Sequence, residues 1–278
     1  FAPRIAFNFS VFNNVLEEVA KFRAARRIWA RLLKEKYGAK NPRSLTFRTG
    51  AGSGGSTLVA QQPQNNVVRV TLHTIIAAMA GVQSMHTASM DEAHALPSEE
   101  AATLALRTQQ IVAYESGLAD VIDPLGGSYY VENLTDQIEE QVEVYMKGIE
   151  ERGGMVAAIE SGWVVREISE SAYRFQREVE EGERVIVGLN RFTTDEVPPI
   201  DLHRPDPTVA KGAIQEIEEL RKQRDPVALT RALDDLKSVA TEGGNLMPPT
   251  LEAIRALGTV GEVSAALREV FGEWQAPS

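Results

Sequence analysis

The first 150 residues alternate between short β-prone runs and longer stretches of helical periodicity. The β-prone runs either are rich in aromatic and β-branched residues or alternate apolar with polar side chains, and both features are typical of strands. Four strands are therefore predicted, at residues 4–9, 45–47, 82–87 and 119–122.

Helical patterns fill the intervals between these runs. In the first interval, apolar residues from Val15 to Leu33 fall on one helix face after the capping-type residue Asn14. Pro63 opens the second helix, and Ser98, followed by two glutamates, caps the third. Strands that alternate with helices predict an α/β protein with a parallel sheet, and four such units are half of a TIM-type (β/α)8 barrel. Because half a barrel cannot close its own sheet, the remaining half is expected from another polypeptide or another segment.

The rest of the chain is mostly helical in pattern. Ile138, Val142, Tyr145 and Ile149 share one helix face, and two further helices and one isolated strand, at residues 184–190, are predicted after it. Four prolines among polar and acidic residues then predict a linker. The expected organisation is a half-barrel at 1–150, a helical extension with one strand at 151–192, a linker at 193–207 and a helical C-terminal segment at 208–278.

Composition and charge narrow the classes of function. The chain has 278 residues, a net charge of -10 and no cysteine. The negative charge argues against a broad basic surface for nucleic acid, and the lack of cysteine excludes disulfides, thiolate metal sites and cysteine nucleophiles. No apolar run approaches the roughly 20 residues of a membrane span and no signal-peptide pattern is present, so we expect no membrane partner and a cytoplasmic location. The chain opens inside a predicted strand without a start methionine, which indicates a fragment or the later half of something larger.

The most distinctive stretch is residues 45–58. The strand predicted at 45–47 is followed by Arg48 and then by a predicted loop with four glycines in six residues, among them Gly50 and Gly52. Bare backbone allows a ligand to approach closely, although a simple turn explains the same pattern. Polar residues at the predicted strand ends are expected to converge on one barrel mouth that binds an anionic, partly apolar ligand: Arg4, Arg48, Gln83, His86, Glu92 and Asp123.

The four histidines do not form a metal site by their spacing. His86 lies near the end of a predicted strand, ahead of Asp91 and Glu92, so it is a candidate for lining a ligand cavity, with a satisfied core histidine as the alternative. His73 falls within a predicted helix, which suggests a packing or surface role. The sequence contains no nucleophile elbow, phosphate-binding loop or zinc-binding helix motif.

Several longer strings resemble the methylmalonyl-CoA mutase family. The resemblance runs in order through nearly the whole chain, on APRIAF, EEVAKFRAARRIWARL, SLTFRTG, STLVAQQPQNNVVR, VQSMHTASMDEAHALP, RTQQIVAYESG and DPLGGSYYVE, and then on GGMVAAIESGW, RVIVGLNRF and TVGEVSAALREVFGEW. It implies the second half of the family's acyl-CoA-binding barrel, followed by a mostly helical C-terminal segment. It also implies a mutase that depends on adenosylcobalamin and rearranges a short branched acyl-CoA by radical chemistry.

The resemblance further implies partners and site residues. Adenosylcobalamin is expected to be held mainly by a cobalamin-binding small subunit or domain, because the motif DLHRPD has Asp206 where a cobalamin-ligating loop has glycine. The positions implied for catalysis and substrate are Gln83, which faces the acyl group, Arg4, which contacts the CoA ester, and Arg48, for which a structural role is favoured over ligand contact. Glu92 matches a glutamate that bonds the adenosyl ribose.

Departures from the family pattern point to altered substrate choice. Ala6 stands in place of a serine, Gly50 and Gly52 in place of a histidine and a glutamine at the substrate, and Ala88 in place of an asparagine at the cofactor. Loss of hydrogen-bonding groups changes which substrate a site accepts, so an isobutyryl- or 2-hydroxyisobutyryl-type ester is expected rather than methylmalonyl-CoA. Two alternatives remain: a catalytically inactive structural partner subunit of such a mutase, and a simple CoA-binding module without cobalamin.

Overall fold

The chain divides between His203 and Arg204 into two units, within the predicted linker. The computed structural model describes residues 1–195, 202–275 and 277. Residues 196–201, which hold the central part of the predicted linker, lie outside the described residues.

The first unit contains a small parallel sheet. Its strands are β1 (Phe7–Val11), β2 (Thr49–Ser53) and β3 (Ser84–His86), in the order β1-β2-β3. Both pairings are parallel, with Gly50 opposite Asn8 on one side and opposite Ser84 on the other. The predicted α/β class with parallel strands is therefore confirmed. In the part of the chain that the structure describes, β1 and β3 each have a strand neighbour on one side only.

Helices follow each strand of this unit, as the periodicity predicts. Ser98 caps the third of them, since its hydroxyl accepts a hydrogen bond from the backbone N–H of Ala101 at 3.2 Å. The helices are α1 (Val15–Arg31, extended by a π-type turn at Leu32–Lys36), α2 (Asn65–Met79), α3 (Glu99–Glu115), α4 (Tyr129–Glu151), α5 (Met155–Glu160) and α6 (Trp163–Glu180).

The core lies on one face of the sheet. Val11, Ala51 and Met85, one from each strand, pack with Phe22 of α1 and Ile76 of α2. Because successive side chains of a strand point to opposite faces, the residues between them point away from the helices. This second face, which we call the open face, carries exposed or half-exposed residues: Asn8, Ser10, Gly50, Gly52, Ser84 and His86.

Ion pairs join α1 to α4 along their length. The partners advance in the same direction on both helices, so the two helices run parallel. Glu139 is the buried member, with 6% of its surface exposed, and it pairs with both Arg27 and Arg31. The pairs of this ladder are Arg23–Glu132, Arg27–Asp136, Arg27–Glu139, Arg31–Glu139, Arg31–Glu143 and Lys36–Glu150.

Two predicted strands lie elsewhere than expected. Residues 45–47 are not a strand, because Asn41 caps a 3-10 turn over Pro42–Leu45, and β2 instead runs through the glycines of the predicted loop. The strand predicted at residues 4–9 begins later, at Phe7, because a 3-10 turn led by proline occupies Ala2–Arg4.

Two other predicted strands are wrong. Residues 119–122 follow Gly117, which adopts a left-handed conformation with φ of 72°, and form a 3-10 turn at Leu118–Asp120. Ile122 is 97% exposed there and pairs with no strand in the described chain. At residues 184–190 the structure has turns and a single bridge between Val187 and Arg191, since the Asn190 side chain bonds to the backbone of Val179, Arg184 and Ile186.

The second unit is helical. Leu229, Leu236, Ala253 and Ala266 are buried in it. Its helices are α7 (Pro207–Gln223), α8 (Pro226–Thr241), α9 (Met247–Arg255) and α10 (Val260–Phe271).

Candidate functional site

Two rows of residues cross the open face of the sheet. The first is Asn8–Gly50–Ser84 and the second, closer to the carboxyl ends of the strands, is Ser10–Gly52–His86. The two glycines differ in their surroundings. A Cβ on Gly50 would lie 2.9 Å from Oγ of Ser84 and 3.3 Å from Oδ1 of Asn8, whereas a Cβ on Gly52 would meet nothing within 4 Å.

The glycines are therefore part of the sheet surface rather than of a loop beyond it. Both lie in β2 and face the open side, so their bare backbone is within the strand and not in the loop that the sequence predicted after it, and its approach by a ligand stays a prediction. The side chains of Asn8 and Ser84 occupy the space above Gly50, whereas the space above Gly52, between Ser10 and His86, is empty.

The predicted polar residues do not converge on one mouth, so this prediction is wrong. Arg4, Arg48 and Gln83 each precede a strand, and because the strands are parallel, all three lie at the amino edge of the sheet. Ala88 and Glu92 follow β3 at the carboxyl edge. Arg4 and Gln83 lie at the amino ends of the strands predicted at 4–9 and 82–87, and in a parallel sheet this keeps them at the amino edge. Arg48 joins them because β2 begins after it, at Thr49, whereas the predicted strand ended before it. Asp123 is paired with Arg23 of α1.

At the amino edge, side chains bind the start of each strand to its neighbour. Nη2 of Arg48 donates to the carbonyl oxygens of Pro3 at 2.6 Å and of Ile5 at 3.2 Å. Oε1 of Gln83 accepts the backbone N–H of Thr49 at 2.7 Å. Arg4 is exposed, in the turn before β1.

At the carboxyl edge, the loop after β3 is shaped by hydrogen bonds. The backbone N–H of Ala88 donates to Oγ of Ser53 at 3.2 Å, and the alanine is only 2% exposed. Oε1 of Glu92 accepts the N–H of Ser89 at 2.7 Å, which leaves the other carboxylate oxygen for a further donor. Asp91 is fully buried, and its Oδ2 accepts the N–H of Ser98 at 2.8 Å at the start of α3.

The histidines have separate surroundings. His73 is fully buried, and burial lowers the pKa of its imidazole to about 4, so it is neutral at pH 7. Nε2 of His94 lies 2.8 Å from the carbonyl oxygen of Ala60. His86 is exposed at the end of the second row on the open face, so the alternative of a satisfied core histidine is wrong, and a role in lining a ligand cavity stays a prediction.

Sequence reasoning missed three polar residues of the open face: Asn8, Ser10 and Ser84. A signal was present in the alternation of FNFSV, where apolar residues face the core. It also missed Asn66, which is fully buried and joins the Val59 backbone, the Met90 carbonyl oxygen and the Arg69 side chain. A single buried asparagine has no sequence signature.

Neither a metal cluster nor a membrane span is found in the described ranges. Over residues 1–195, 202–275 and 277, no three histidine or acidic side chains are grouped so as to hold a metal ion. Among the helices described, none is long and apolar enough to cross a bilayer. In DLHRPD, Oδ1 of Asp206 caps α7 by accepting the N–H of Thr208 at 2.8 Å, so this residue serves a helix start.

Comparison with known proteins places nearly the whole chain in one family. The profile of the family described as methylmalonyl-CoA mutase matches residues 1–273. The large subunit of 2-hydroxyisobutanoyl-CoA mutase from Aquincola tertiaricarbonis is 43% identical over 277 residues, which are 99% of this chain and 49% of that protein. Methylmalonyl-CoA mutase from Rhizobium meliloti is 41% identical over 278 residues, 99% of this chain and 39% of that protein. The chain thus spans half or less of the length of these relatives, and it belongs to the methylmalonyl-CoA mutase family.

Proposed function

We propose that this chain is the later part of the acyl-CoA-binding barrel of an adenosylcobalamin-dependent acyl-CoA mutase, an isomerase. The observation that carries the proposal is the open face of the parallel sheet, whose exposed polar residues lie within the family match. A sheet face that carries polar groups and is left free by the helices suits a ligand that passes through a barrel. The division proposed is barrel residues 1–150, a helical extension at 151–192, a linker at 193–207 and a C-terminal segment at 208–278.

The unpaired sheet edges support a barrel that other strands complete. In the described residues β1 and β3 are both edges, so strands from the remainder of the protein can pair with each. An apolar cavity of about 230 Å³ lies beside β1, lined by Phe7 and Trp29 on one side and by Ile138, Val142 and Met146 of α4 on the other. The remaining part of the barrel, whether another segment or a separate polypeptide, is the occupant we propose for this edge.

The proposed substrate is the CoA ester of a short branched acid. We assign Arg4 to the CoA ester at the amino edge, Gln83 to the acyl group, with a catalytic role, and the open face to the pantetheine arm and acyl group. Arg48 belongs to this site by position, and its two bonds to backbone carbonyls support a role in holding β1 against β2. Gly50 and Gly52 contribute backbone and space.

The residues at the carboxyl edge fit a cofactor that carries hydroxyl groups. Glu92 is half-buried and has one carboxylate oxygen held by Ser89, so its second oxygen suits a ribose hydroxyl. Ala88 shapes the same loop through its bond to Ser53. When bound, adenosylcobalamin supplies the radical that starts the rearrangement. The chain's own residues hold the ester, orient its acyl group and exclude water.

The partner proposed is a cobalamin-binding small subunit or domain. One relative is named as a large subunit, which implies a second subunit in that protein. The proposal retains the cytoplasmic location expected from the sequence.

The test is an anaerobic assay of the complete assembly with adenosylcobalamin and a panel of CoA esters. Isomerisation of a branched ester would support the proposal. If no ester is turned over while the assembly forms, the chain is a structural partner subunit instead. Arg4→Ala should raise KM for the ester, and Glu92→Gln should raise the concentration of adenosylcobalamin needed for half-maximal rate.

A further inference from the structure

The row Ser10–Gly52–His86 is the part of the open face with both space and hydrogen-bonding groups. His86 and Ser10 flank Gly52 on the two neighbouring strands, and both side chains are exposed. Directly opposed residues on adjacent strands lie roughly 5 Å apart, so a small group placed above Gly52 is within reach of both.

The orientation of His86 follows from its neighbours along β3. Met85 packs against the core, and Oγ1 of Thr87 lies 3.2 Å from Oγ1 of Thr74 in α2 and accepts a bond from Gln109 of α3 at 3.0 Å. Residues 85 and 87 therefore face the helices, which sets His86 between them on the opposite side.

The neighbouring row lacks this space. Asn8 and Ser84 close over Gly50, where even a methyl group would lie 2.9 Å from Oγ of Ser84. At Gly52 the corresponding position is clear to at least 4 Å. A substituent on a ligand that lies along the open face has room at the second row and not at the first.

The chemistry of this row suits a neutral polar substituent. An imidazole and a hydroxyl can each donate and accept a hydrogen bond. The three strands, FNFSV, TGAGS and SMH, contain no lysine or arginine, and Lys21, which donates to the carbonyl oxygen of Ser10 at 2.8 Å, is already paired with Glu18. A hydroxyl can bond to both flanking side chains without bringing a charge onto the face.

We propose that Ser10, Gly52 and His86 form a subsite for a hydroxyl substituent on the acyl group, and that His86 determines preference for hydroxylated over plain branched acyl-CoA. The inference rests on the proposed function, because it assigns the acyl end of the same ligand. Gly52 supplies the space, and His86 and Ser10 supply the hydrogen bonds.

The experiment compares 2-hydroxyisobutyryl-CoA with isobutyryl-CoA on the complete assembly. Binding of both esters is measured by calorimetry without adenosylcobalamin, and kcat/KM is measured with it. In His86→Phe the preference for the hydroxylated ester should fall by roughly 10- to 100-fold, and His86→Gln should restore part of it. Gly52→Val should also lower the preference for the hydroxylated ester, because the valine side chain fills the space above the strand. His94→Gln, an exposed histidine outside the row, is the matched control and should keep the wild-type preference.

The outcomes separate the two proposals. If His86→Phe binds both esters with the same preference as the wild-type assembly, the subsite is overturned and the mutase proposal is left intact. A second outcome is that the assembly turns over no ester but prefers to bind the hydroxylated one, and that His86→Phe removes this preference. This outcome overturns the mutase proposal and supports the subsite. If the wild-type assembly binds the two esters equally, the subsite is overturned.

Discussion

Nε2 of His73 lies 2.8 Å from Oδ1 of Asn13, which ties α2 to the turn after β1. The ring is fully buried and its Nδ1 has no partner within the described residues. A protonated imidazole would therefore carry a buried charge without an acidic partner in this contact.

This contact predicts acid sensitivity above pH 4. Burial lowers the pKa of His73 from 6.5 to about 4, so the unfolded chain binds a proton that the folded chain refuses between these values. Stability present above pH 6.5 is lost as the pH falls towards 4, by about 2 kcal/mol between pH 7 and pH 5. The check is urea unfolding at both values, in which His73→Gln should show a smaller loss than wild type. Equal losses in both proteins would contradict the assignment.

The two open-face glycines should respond differently to a methyl group. Gly52→Ala should be neutral or stabilise the chain by about 0.5 kcal/mol, because Gly lowers strand stability and nothing lies within 4 Å of the new Cβ. Gly50→Ala should cost about 1 kcal/mol, because its Cβ would contact Oγ of Ser84 at 2.9 Å. Thermal and urea unfolding measure both. Adding Ser84→Ala to Gly50→Ala should recover most of the loss, and no recovery would place the strain elsewhere.

The α1–α4 ladder should depend on its buried member. Glu139→Gln removes the charge that serves both Arg27 and Arg31 and should lower the free energy of unfolding by about 2 kcal/mol. Glu143→Gln is the matched change on the same helix, where the paired carboxylate side chain is 55% exposed, and should cost no more than about 0.5 kcal/mol. Urea unfolding measures the free energy of unfolding of both variants. A similar decrease in the two would mean that burial does not determine how much each ion pair stabilises the chain.

The second unit should lose stability in strong acid through Glu262. Hydrogen bonding to Arg224, at 2.6 and 2.7 Å, is the main cause that lowers the pKa of Glu262 to about 2, and bonds from Thr259 add to it. Its contribution is therefore complete above the ordinary value of 4.5 and is lost as the pH falls towards 2.

Hydrogen exchange of the α10 amides between pH 5 and pH 2.5 measures this loss. Protection should fall more steeply in wild type than in Glu262→Gln, which lacks the titrating group. Arg255→Gln, in an exposed pair with Glu252 on α9, is the control and should follow wild type. A Glu262→Gln profile parallel to that of wild type would show that the ion pair does not govern α10.

Periodicity predicted the helices because their apolar stripes are long. The run from Val15 to Leu33 repeats one face over several turns, and Ser98 carries a capping signal that the structure confirms. Short strands carry less information. The β-prone residues at 45–47 are outweighed by Asn41–Pro42, which start a 3-10 turn. The glycines that predicted a loop instead form β2, where the first row leaves little room for a side chain at Gly50.

The sequence predicted which segments contain the residues of the candidate site, but not how these residues are arranged on the sheet. The strings around Gly50, Gly52 and His86 were identified, but their shared face depends on a register between strands distant in sequence. The amino-edge position of Arg48 depends on where β2 begins, and the boundaries of an element are the least certain feature of a sequence pattern. The alternation of FNFSV separates Asn8 and Ser10 from the apolar residues of β1, but only the packing of the helices shows that their face of the sheet is left open.

Within the residues that the structure describes, one edge of β1 has no strand partner, and this bears on the order in which the parts of the proposed barrel are made. FNFSV contains no charge and no proline, the usual residues that keep an edge strand from pairing with another copy of itself. In the barrel proposed above, production of this chain ahead of the strand that pairs with β1 would expose that edge to self-association. If the neighbouring strand is synthesised first, β1 can pair with it as soon as it is made. The order of synthesis, and not the sequence of the strand, would then protect this edge from aggregation.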